Sequence, residues 1–210
     1  MVSKIKKIFK RSAKSVKADE ELGFNGINKE IEGNNRIYNS TFGRNTYYTY
    51  NTIIYNADFA NFCSIGPNSV IGFGDHPTRE LSTSPAIYYN ETLFSKEEIR
   101  QKEKINYSRV TIGNDVWIGA NVFLKNGIKV GNGAVIGSGA IVLKDVNDYE
   151  IVVGCPAKCV KKRFTEDIIS LLIELKWWDF EDNELHVLRP IIENPAVEEI
   201  QAIIQKYKKN

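Results

Sequence analysis

Apolar residues recur every six positions in the second half of this 210-residue chain. The leading residue of each unit is aliphatic, in the series Ile112, Ile118, Leu124, Val130, Ile136 and Val142. The fifth residue is also apolar, in the series Val116, Val122, Ile128, Ala134, Ala140 and Val146. An α-helix repeats about every 3.6 residues and an amphipathic strand every two, so neither explains this spacing. A short fixed repeat predicts stacked units that share one continuous core.

Glycine and asparagine fill the positions between the apolar residues. A glycine follows the leading aliphatic in four units, at Gly113, Gly119, Gly131 and Gly137. Both residue types tolerate a positive φ angle, which branched residues do not. Each unit is therefore predicted to be one short strand and a tight corner, with its leading and fifth residues pointing inward.

The repeat also occurs upstream in a less regular form. Phe59, Ile65 and Ile71 are spaced by six, and before them the phase slips by one residue. Either member of three pairs fits as the leading residue there, namely Ile53 or Ile54, Tyr47 or Tyr48, and Thr41 or Phe42. Residues 73–109 break the pattern, and the coils resume at Val110 in phase. An insertion that preserves the phase must leave and re-enter at one corner, like a flap.

The chain is predicted to contain three parts. Residues 1–34 form a basic N-terminal segment that is helical in part, residues 35–162 form the repeat domain with the inserted loop 73–109, and residues 163–210 form a helical segment. The first C-terminal helix is predicted to begin after Thr165, which is a suitable N-cap. These helices are expected to cover an open end of the solenoid, where unpaired strand edges invite aggregation.

The N-terminal segment has two interpretations. It carries seven Lys or Arg residues between positions 3 and 17 and no acid before Asp19. A basic amphipathic helix there would make weak contact with an anionic membrane surface. The alternative is a solvated helix that packs on its own domain.

Composition narrows the class of protein. Hydrophobic residues make up 42% and charged residues 26%, which is typical of a globular domain, and the net charge of +2 argues against nucleic-acid binding. No apolar run approaches the roughly 20 residues of a membrane span, and no secretory leader is visible. The three cysteines are an odd set without metal-binding spacing. These observations predict a cytoplasmic protein that binds no metal.

The candidate catalytic residue is His76, one of only two histidines. It stands in the inserted loop between Asp75 and Pro77, and a neutral imidazole is suited to taking a proton from a hydroxyl or amine. From the residues alone, a loop histidine without a role is an equal alternative. His186 is expected to be structural or exposed. Cys63 falls in a repeat position and is expected to be buried rather than nucleophilic.

Six short motifs resemble the xenobiotic and surface-polysaccharide branch of the hexapeptide-repeat acyltransferases, which includes chloramphenicol and streptogramin acetyltransferases. They lie at residues 62–67, 74–78, 82–85, 116–119, 154–158 and 175–179. The resemblance implies an all-β core formed by a left-handed parallel β-helix with three hexapeptides per triangular coil. It also implies that acetyl-CoA is the co-substrate and that His76 is the general base. In that family the flap histidine and the CoA groove belong to different subunits, which implies a homotrimer.

The 18-residue coil leads to a prediction for the CoA groove. It places Ala120, Ser138 and Pro156 at the same corner of successive coils, where small residues leave room for a pantetheine arm. Cations at the far end of the groove are expected to meet the CoA phosphates. Lys158 and Lys161 are the main candidates, and Lys162 and Arg163 follow them in the sequence. Trp117 either walls the groove or covers the outside of a coil. The alternative is that small residues simply suit tight corners.

These inferences favour an acetyl-CoA-dependent O-acetyltransferase. The expected acceptor is a sugar hydroxyl of a surface polysaccharide or of its activated precursor, attacked in a direct transfer with His76 as base. An N-acetyltransferase of an amino sugar and an antibiotic acetyltransferase are the alternatives of the same class. An inactive solenoid scaffold is the alternative of another class.

Overall fold

A computed structural model describes residues 34–207 of the chain. Its strands are β1 (Arg36–Tyr38), β2 (Thr41–Phe42), β3 (Tyr47–Tyr48), β4 (Ile53–Tyr55), β5 (Ala57–Phe59), β6 (Ser64–Ile65), β7 (Val70–Phe73), β8 (Val110–Ile112), β9 (Trp117–Ile118), β10 (Phe123–Lys125), β11 (Lys129–Val130), β12 (Val135–Ile136), β13 (Ile141–Val142), β14 (Glu150–Val153) and β15 (Lys158–Lys162). Its helices are α1 (Pro85–Tyr88), α2 (Lys96–Asn106), α3 (Glu166–Leu175) and α4 (Val197–Tyr207), with 3-10 turns at Trp177–Asp179 and Leu185–Ile191. Apart from Asn34, the predicted basic segment 1–34 lies outside the described residues.

The strands form three sheets that make the faces of a triangular prism. Sheet I has the order β1-β4-β7-β10-β13, sheet II has β2-β5-β8-β11, and sheet III has β3-β6-β9-β12-β14-β15. From β1 to β13 consecutive strands fall in successive sheets, and all the pairs are parallel except β14 with β15. The fold is the predicted left-handed parallel β-helix.

The length of a coil varies along the prism. Arg36 pairs with Ile53, a step of 17 residues, whereas Thr111 pairs with Lys129, a step of 18. The upstream slip in phase is therefore real, since the early coils are one residue shorter. The last coil is shorter still, because Val135 pairs with Ile151, a step of 16.

The predicted inward positions form the core. Every leading and fifth residue of the six regular units is at most 5% exposed. Upstream, the second member of each ambiguous pair points inward, since Ile54 is fully buried and both Phe42 and Tyr48 pack against the core cluster. The glycine positions follow from close approach of the coils. A Cβ atom at Gly119 would lie 2.6 Å from the backbone nitrogen of Ser138 in the next coil.

The three corners of the prism differ in content. The flap corner joins sheets I and II and carries the inserted flap, residues 74–109. The asparagine corner joins sheets II and III and stacks Asn61, Asn114, Asn132 and Asp148 in successive coils. The small-residue corner joins sheets III and I, and it stacks Pro67, Ala120, Ser138 and Gly154 by the strand register.

Side chains satisfy the backbone at the asparagine corner. The backbone N–H of Asn61 donates to Oδ1 of Asn114 over 3.0 Å, and that of Asn114 donates to Oδ1 of Asn132 over 2.9 Å. The N–H of Asn132 donates in turn to Asp148 over 2.5 Å. Each coil therefore supplies the acceptor that its neighbour needs, which fixes the stacking distance at this corner.

The C-terminal segment runs along the asparagine corner. Arg163 bonds Asp115 over 2.8 Å near the last coils, and Trp178 O accepts from Asn61 Nδ2 over 3.2 Å near the first. Among the described residues, none of this segment joins the apolar cluster inside the coils. These contacts place the segment against the asparagine corner, which offers the polar partners that its arginine and carbonyl groups need. The free edge of β14 is paired by β15 instead.

Candidate active site

The flap is tied at both ends to the next coil. The backbone N–H of Asp75 donates to the carbonyl oxygen of Asn106 over 3.0 Å, which closes the base of the flap. The same carbonyl accepts from Asn126 Nδ2 over 2.8 Å, and the Asp75 carboxylate lies 3.3 Å from Lys125 Nζ. Because Lys125 ends β10 and Asn126 follows it, and β10 pairs with β7, the flap is anchored one coil further along the prism.

The Ser82–Pro85 motif forms the start of helix α1. Ser84 is the N-cap, its Oγ accepts from the Ala86 N–H over 3.3 Å, and Pro85 takes the first helical position. The Ser84 N–H donates to Ser82 Oγ over 3.1 Å. This turn aims the Thr83 carbonyl back toward the base of the flap and brings Tyr88 to the same place one turn later.

His76 is held through one ring nitrogen. Its Nδ1 lies 2.9 Å from the carbonyl oxygen of Thr83 and 3.1 Å from the hydroxyl of Tyr88. A carbonyl oxygen can only accept, so this contact requires the proton on Nδ1. The Nε2 lone pair is then available, and within residues 34–207 Nε2 makes no hydrogen bond. The residue is exposed, as a base that meets an outside acceptor must be.

Tyr88, whose hydroxyl contacts His76 Nδ1, is buried, at 3% exposure. Desolvation first, and then the neighbouring Tyr89, raise the pKa of the Tyr88 phenol. The phenol therefore stays protonated and cannot serve as the base. Sequence reasoning missed both Thr83 and Tyr88. The motif at 82–85 was identified only through the family resemblance, and no periodic pattern places the following turn against His76.

The small-residue corner is where the CoA groove was predicted. Ala120 stacks on Ser138, since the Ala120 N–H donates to Ser138 Oγ over 3.1 Å. Ser138 is exposed, and its own backbone N–H makes no hydrogen bond within the described part of the chain. The reason is the next residue in the column, Gly154, which has no side chain to offer as an acceptor.

The predicted third member of that column, Pro156, is wrong. Counting 18 residues from Ser138 gives position 156, but the last coil advances by only 16, so Gly154 lies there instead. Pro156 lies two residues further along, in the turn between β14 and β15. The shortened coil breaks the register on which that prediction depended.

The other predicted CoA contacts lie on sheet III. Trp117 is 53% exposed on the outer face of β9, two residues before the Gly119–Ala120 turn. Lys158 and Lys161 lie on β15, whose five residues are all exposed. Neither lysine has an ion-pair partner among residues 34–207. Arg163 is committed to Asp115 at the asparagine corner and is not available for phosphate.

The predicted site residues thus fall into two groups. Trp117, Ala120 and Ser138 lie together at or beside the small-residue corner, and Lys158 lies next to the end of β14. His76 lies at the flap corner, on the other side of sheet I. The structure does not bring His76 into contact with the first group within the described residues of one chain.

The environments of Cys63 and His186 argue against a catalytic role for either residue. The Cys63 thiol is fully buried, and this burial raises its pKa to about 12, so the thiolate that a covalent route needs does not form at neutral pH. His186 is exposed, and its Nδ1 contacts the nearby Asn183 carbonyl over 2.7 Å. In residues 34–207, no three His, Cys, Asp or Glu side chains cluster as metal ligands, and no helix is long and apolar enough to cross a bilayer.

Residues 109–144 match the family model described as bacterial transferase hexapeptide (six repeats). The chain contains a hexapeptide-repeat domain. A chloramphenicol acetyltransferase of Klebsiella aerogenes is 47% identical over 51 residues, which cover 24% of each chain. A probable macrolide acetyltransferase of Lysinibacillus sphaericus is 40% identical over 68 residues, or 32% of this chain and 37% of that protein. The matched region thus spans about a quarter to a third of these relatives. These matches confirm the resemblance drawn from the motifs.

The chain is also similar to a solved structure. A galactoside acetyltransferase in complex with coenzyme A aligns with 73% of this chain and 70% of its own, at 25% identity and a TM-score of 0.47.

Proposed function

We propose that the protein is an acetyl-CoA-dependent O-acetyltransferase that acts on a sugar hydroxyl of a surface polysaccharide or of its activated precursor. One observation carries the proposal. The flap presents an exposed histidine whose Nδ1 is held by a carbonyl, which leaves Nε2 as a free base. The identity with named acetyltransferases over the repeats supports acetyl transfer as the reaction.

His76 would act as the general base in a direct transfer. Its Nε2 takes the proton from the acceptor hydroxyl while that oxygen attacks the thioester carbonyl carbon. The carbon–sulfur bond then breaks, and the proton passes from Nε2 to the departing thiolate. The Thr83 carbonyl has two functions in this scheme, because it selects the reactive tautomer and stabilises the imidazolium that forms.

The small-residue corner offers one unbonded backbone amide to a pantetheine arm. Most backbone N–H groups there already donate within the coils, including that of Ala120. The unbonded N–H of Ser138 would donate to a pantetheine carbonyl, and a Cβ at neighbouring Gly139 would meet nothing within 4 Å, so the surface is open. Trp117 would wall this groove, and the exposed Lys158 and Lys161 would attract the CoA phosphates.

A homotrimer would complete the site. In one chain His76 lies at the flap corner and Ser138 at the small-residue corner, so one copy does not unite base and thioester. A neighbouring copy whose small-residue corner faces the flap would bring them together. This arrangement also fits the exposed apolar side chains of the flap, which include Leu81, Leu93 and Ile105.

The second candidate is an antibiotic acetyltransferase. It is favoured by the curated relatives, which include chloramphenicol, macrolide and virginiamycin A acetyltransferases. The flap motifs at 74–78 and 82–85 favour the sugar acceptor instead. An amino sugar would make the protein an N-acetyltransferase by the same mechanism.

A screen of acceptors with radiolabelled acetyl-CoA tests the proposal. We expect label on oligosaccharides or nucleotide sugars, and none on either class with the His76→Ala variant. Label on chloramphenicol alone would establish the second candidate. A thermal-shift titration with CoA separately tests the inactive scaffold, because a ligand that binds only the folded state raises the melting temperature. Absence of any shift at saturating CoA would favour the scaffold.

A further inference from the structure

We propose that Tyr88 is a positioning residue whose hydroxyl, together with the Thr83 carbonyl, locks His76 in the tautomer that leaves Nε2 unprotonated. The inference rests on the proposed role of His76 as base. It assigns a function to a second oxygen, beside the Thr83 carbonyl that selects the tautomer. It also predicts which ring nitrogen of His76 carries the proton.

Two oxygens share one nitrogen in this site. Thr83 O lies 2.9 Å from Nδ1 and Tyr88 Oη lies 3.1 Å from the same atom. Since the carbonyl needs the proton on Nδ1, the phenol oxygen must also face that N–H as an acceptor. The opposite arrangement, in which Tyr88 donates to a bare Nδ1, would set that lone pair against the lone pairs of the Thr83 carbonyl. The two contacts are compatible only with Nδ1–H.

The position of the Tyr88 hydroxyl is fixed by packing. Its ring packs edge-on against Tyr89 at 4.4 Å between centroids, and against the imidazole at 6.2 Å. Among the charged or titratable groups near it are Tyr89, Tyr107 and Glu80, none of which is a cation. A buried, neutral phenol in a fixed rotamer is a better positioning group than an exposed one, because little side-chain entropy remains to be lost.

Without the hydroxyl, Nδ1–H keeps only one acceptor. We therefore expect Tyr88→Phe to raise the share of the other tautomer, in which Nε2 carries the proton and cannot act as base. The phenyl ring of this variant retains the packing against Tyr89, so the fold and both binding surfaces remain. Turnover should fall while both Michaelis constants stay unchanged.

Nitrogen-15 NMR reads the tautomer directly. With histidine labelled in the full-length protein, only His76 and His186 give signals, and a His186→Gln variant assigns them. At alkaline pH, where the imidazole is neutral, we expect the protonated-nitrogen signal of wild-type His76 on Nδ1. In Tyr88→Phe, that signal should shift partly to Nε2. The matched control is Tyr89→Phe, whose hydroxyl contacts Asn106 at 3.4 Å and not His76, and it should leave the signals in place.

Kinetics give the second readout. We expect kcat of Tyr88→Phe to fall about three- to tenfold, the usual effect of one hydrogen bond, with unchanged KM for acetyl-CoA and acceptor. An unchanged tautomer, or a gain of Nδ1–H, would overturn the proposal. The NMR result needs no turnover, so it stands even if no acceptor is found. A failure of the proposed function would appear instead as full activity in His76→Ala.

Discussion

The asparagine corner and the His76 site of the flap both place hydrogen-bonding side chains at an edge of the prism, but they use them in opposite ways. At the asparagine corner each side-chain oxygen accepts from a backbone N–H of the preceding coil, and the C-terminal segment covers the row. In the flap, His76 is held by one nitrogen while the other is left unbonded within the described residues. The hydrogen bonds of the first region stabilise the stacking of the coils, whereas the second leaves one nitrogen available for the proposed proton transfer.

The small-residue corner shares one feature with each of these two regions. Ser138 Oγ accepts from Ala120, in the manner of the asparagine corner, but the Ser138 N–H itself has no acceptor in the described chain. Polar groups left unpaired by the fold are therefore the best guide to function in this molecule. This comparison predicts where a mutation will affect activity and where it will affect stability.

The largest effect is expected from His76→Ala. Loss of the proposed general base should lower kcat by roughly two to four decades. Its melting temperature should match that of the wild type, because the ring is exposed and contacts only the flap. The measurement is steady-state kinetics with a thermal melt in parallel.

His186→Ala is the matched control for that variant, since His186 is also exposed and contacts a backbone carbonyl. It should retain full activity. Near-wild-type turnover in His76→Ala would remove this residue from the mechanism.

A variant of the asparagine corner should show the reverse behaviour. Asn132→Ala removes the acceptor of the Asn114 N–H and should lower the free energy of unfolding by about 1–3 kcal/mol. Activity per folded molecule should not change. Urea denaturation gives the stability, and the exposed Asn147→Ala is the control, with an expected loss below about 0.5 kcal/mol. Equal losses in the two variants would contradict a special role for the stacked column.

The small-residue corner is tested by Ser138→Trp. A large side chain there should obstruct the groove and raise KM for acetyl-CoA about tenfold, which corresponds to ~1.4 kcal/mol. KM for the acceptor should change far less. Ser138→Ala distinguishes obstruction of the groove from loss of the Oγ hydrogen bond, because it removes Oγ without filling the groove. This variant should behave like the wild type. If the tryptophan variant binds acetyl-CoA normally, the groove lies on another edge of the prism.

The smallest effect is expected from Lys158→Glu. Reversing one exposed charge should raise KM for acetyl-CoA by about threefold at low salt, and the defect should fade at high salt because exposed charges are screened. Lys129→Glu makes the same change of charge on sheet II and should leave KM unaltered. A defect that is equal in both variants would reflect the net charge of the protein rather than a phosphate contact.

Periodicity explains how much of the fold could be predicted. Ile112 and Ala134 could be assigned to the core because stacked coils repeat the same environment every unit, and both are at most 1% exposed. The same argument failed at Pro156, because one coil two residues short moves every later position. A local rule cannot reveal such a change, since it depends on how β14 turns back to pair with β15.

The site was less predictable than the fold. His76 could be proposed as the base because histidine is rare in this chain and because it lies in the long interruption of the repeat at residues 73–109. Its partners Thr83 and Tyr88 could not be predicted, because the flap has no period and their approach depends on tertiary packing. The path of Arg163 was missed for the same reason, as its partner Asp115 is 48 residues away.

The flap enters and leaves the prism without disturbing the register, since Ala57 still pairs with Val110 across it. An insertion of different sequence or length could therefore replace the flap without changing the stacking of the coils. Doubling its length would cost only about 0.6 kcal/mol in closure entropy, and the coils on either side would stack as before. Under the proposed function, a different insertion would change the acceptor side of the site and leave the proposed acetyl-CoA groove at the small-residue corner unaltered.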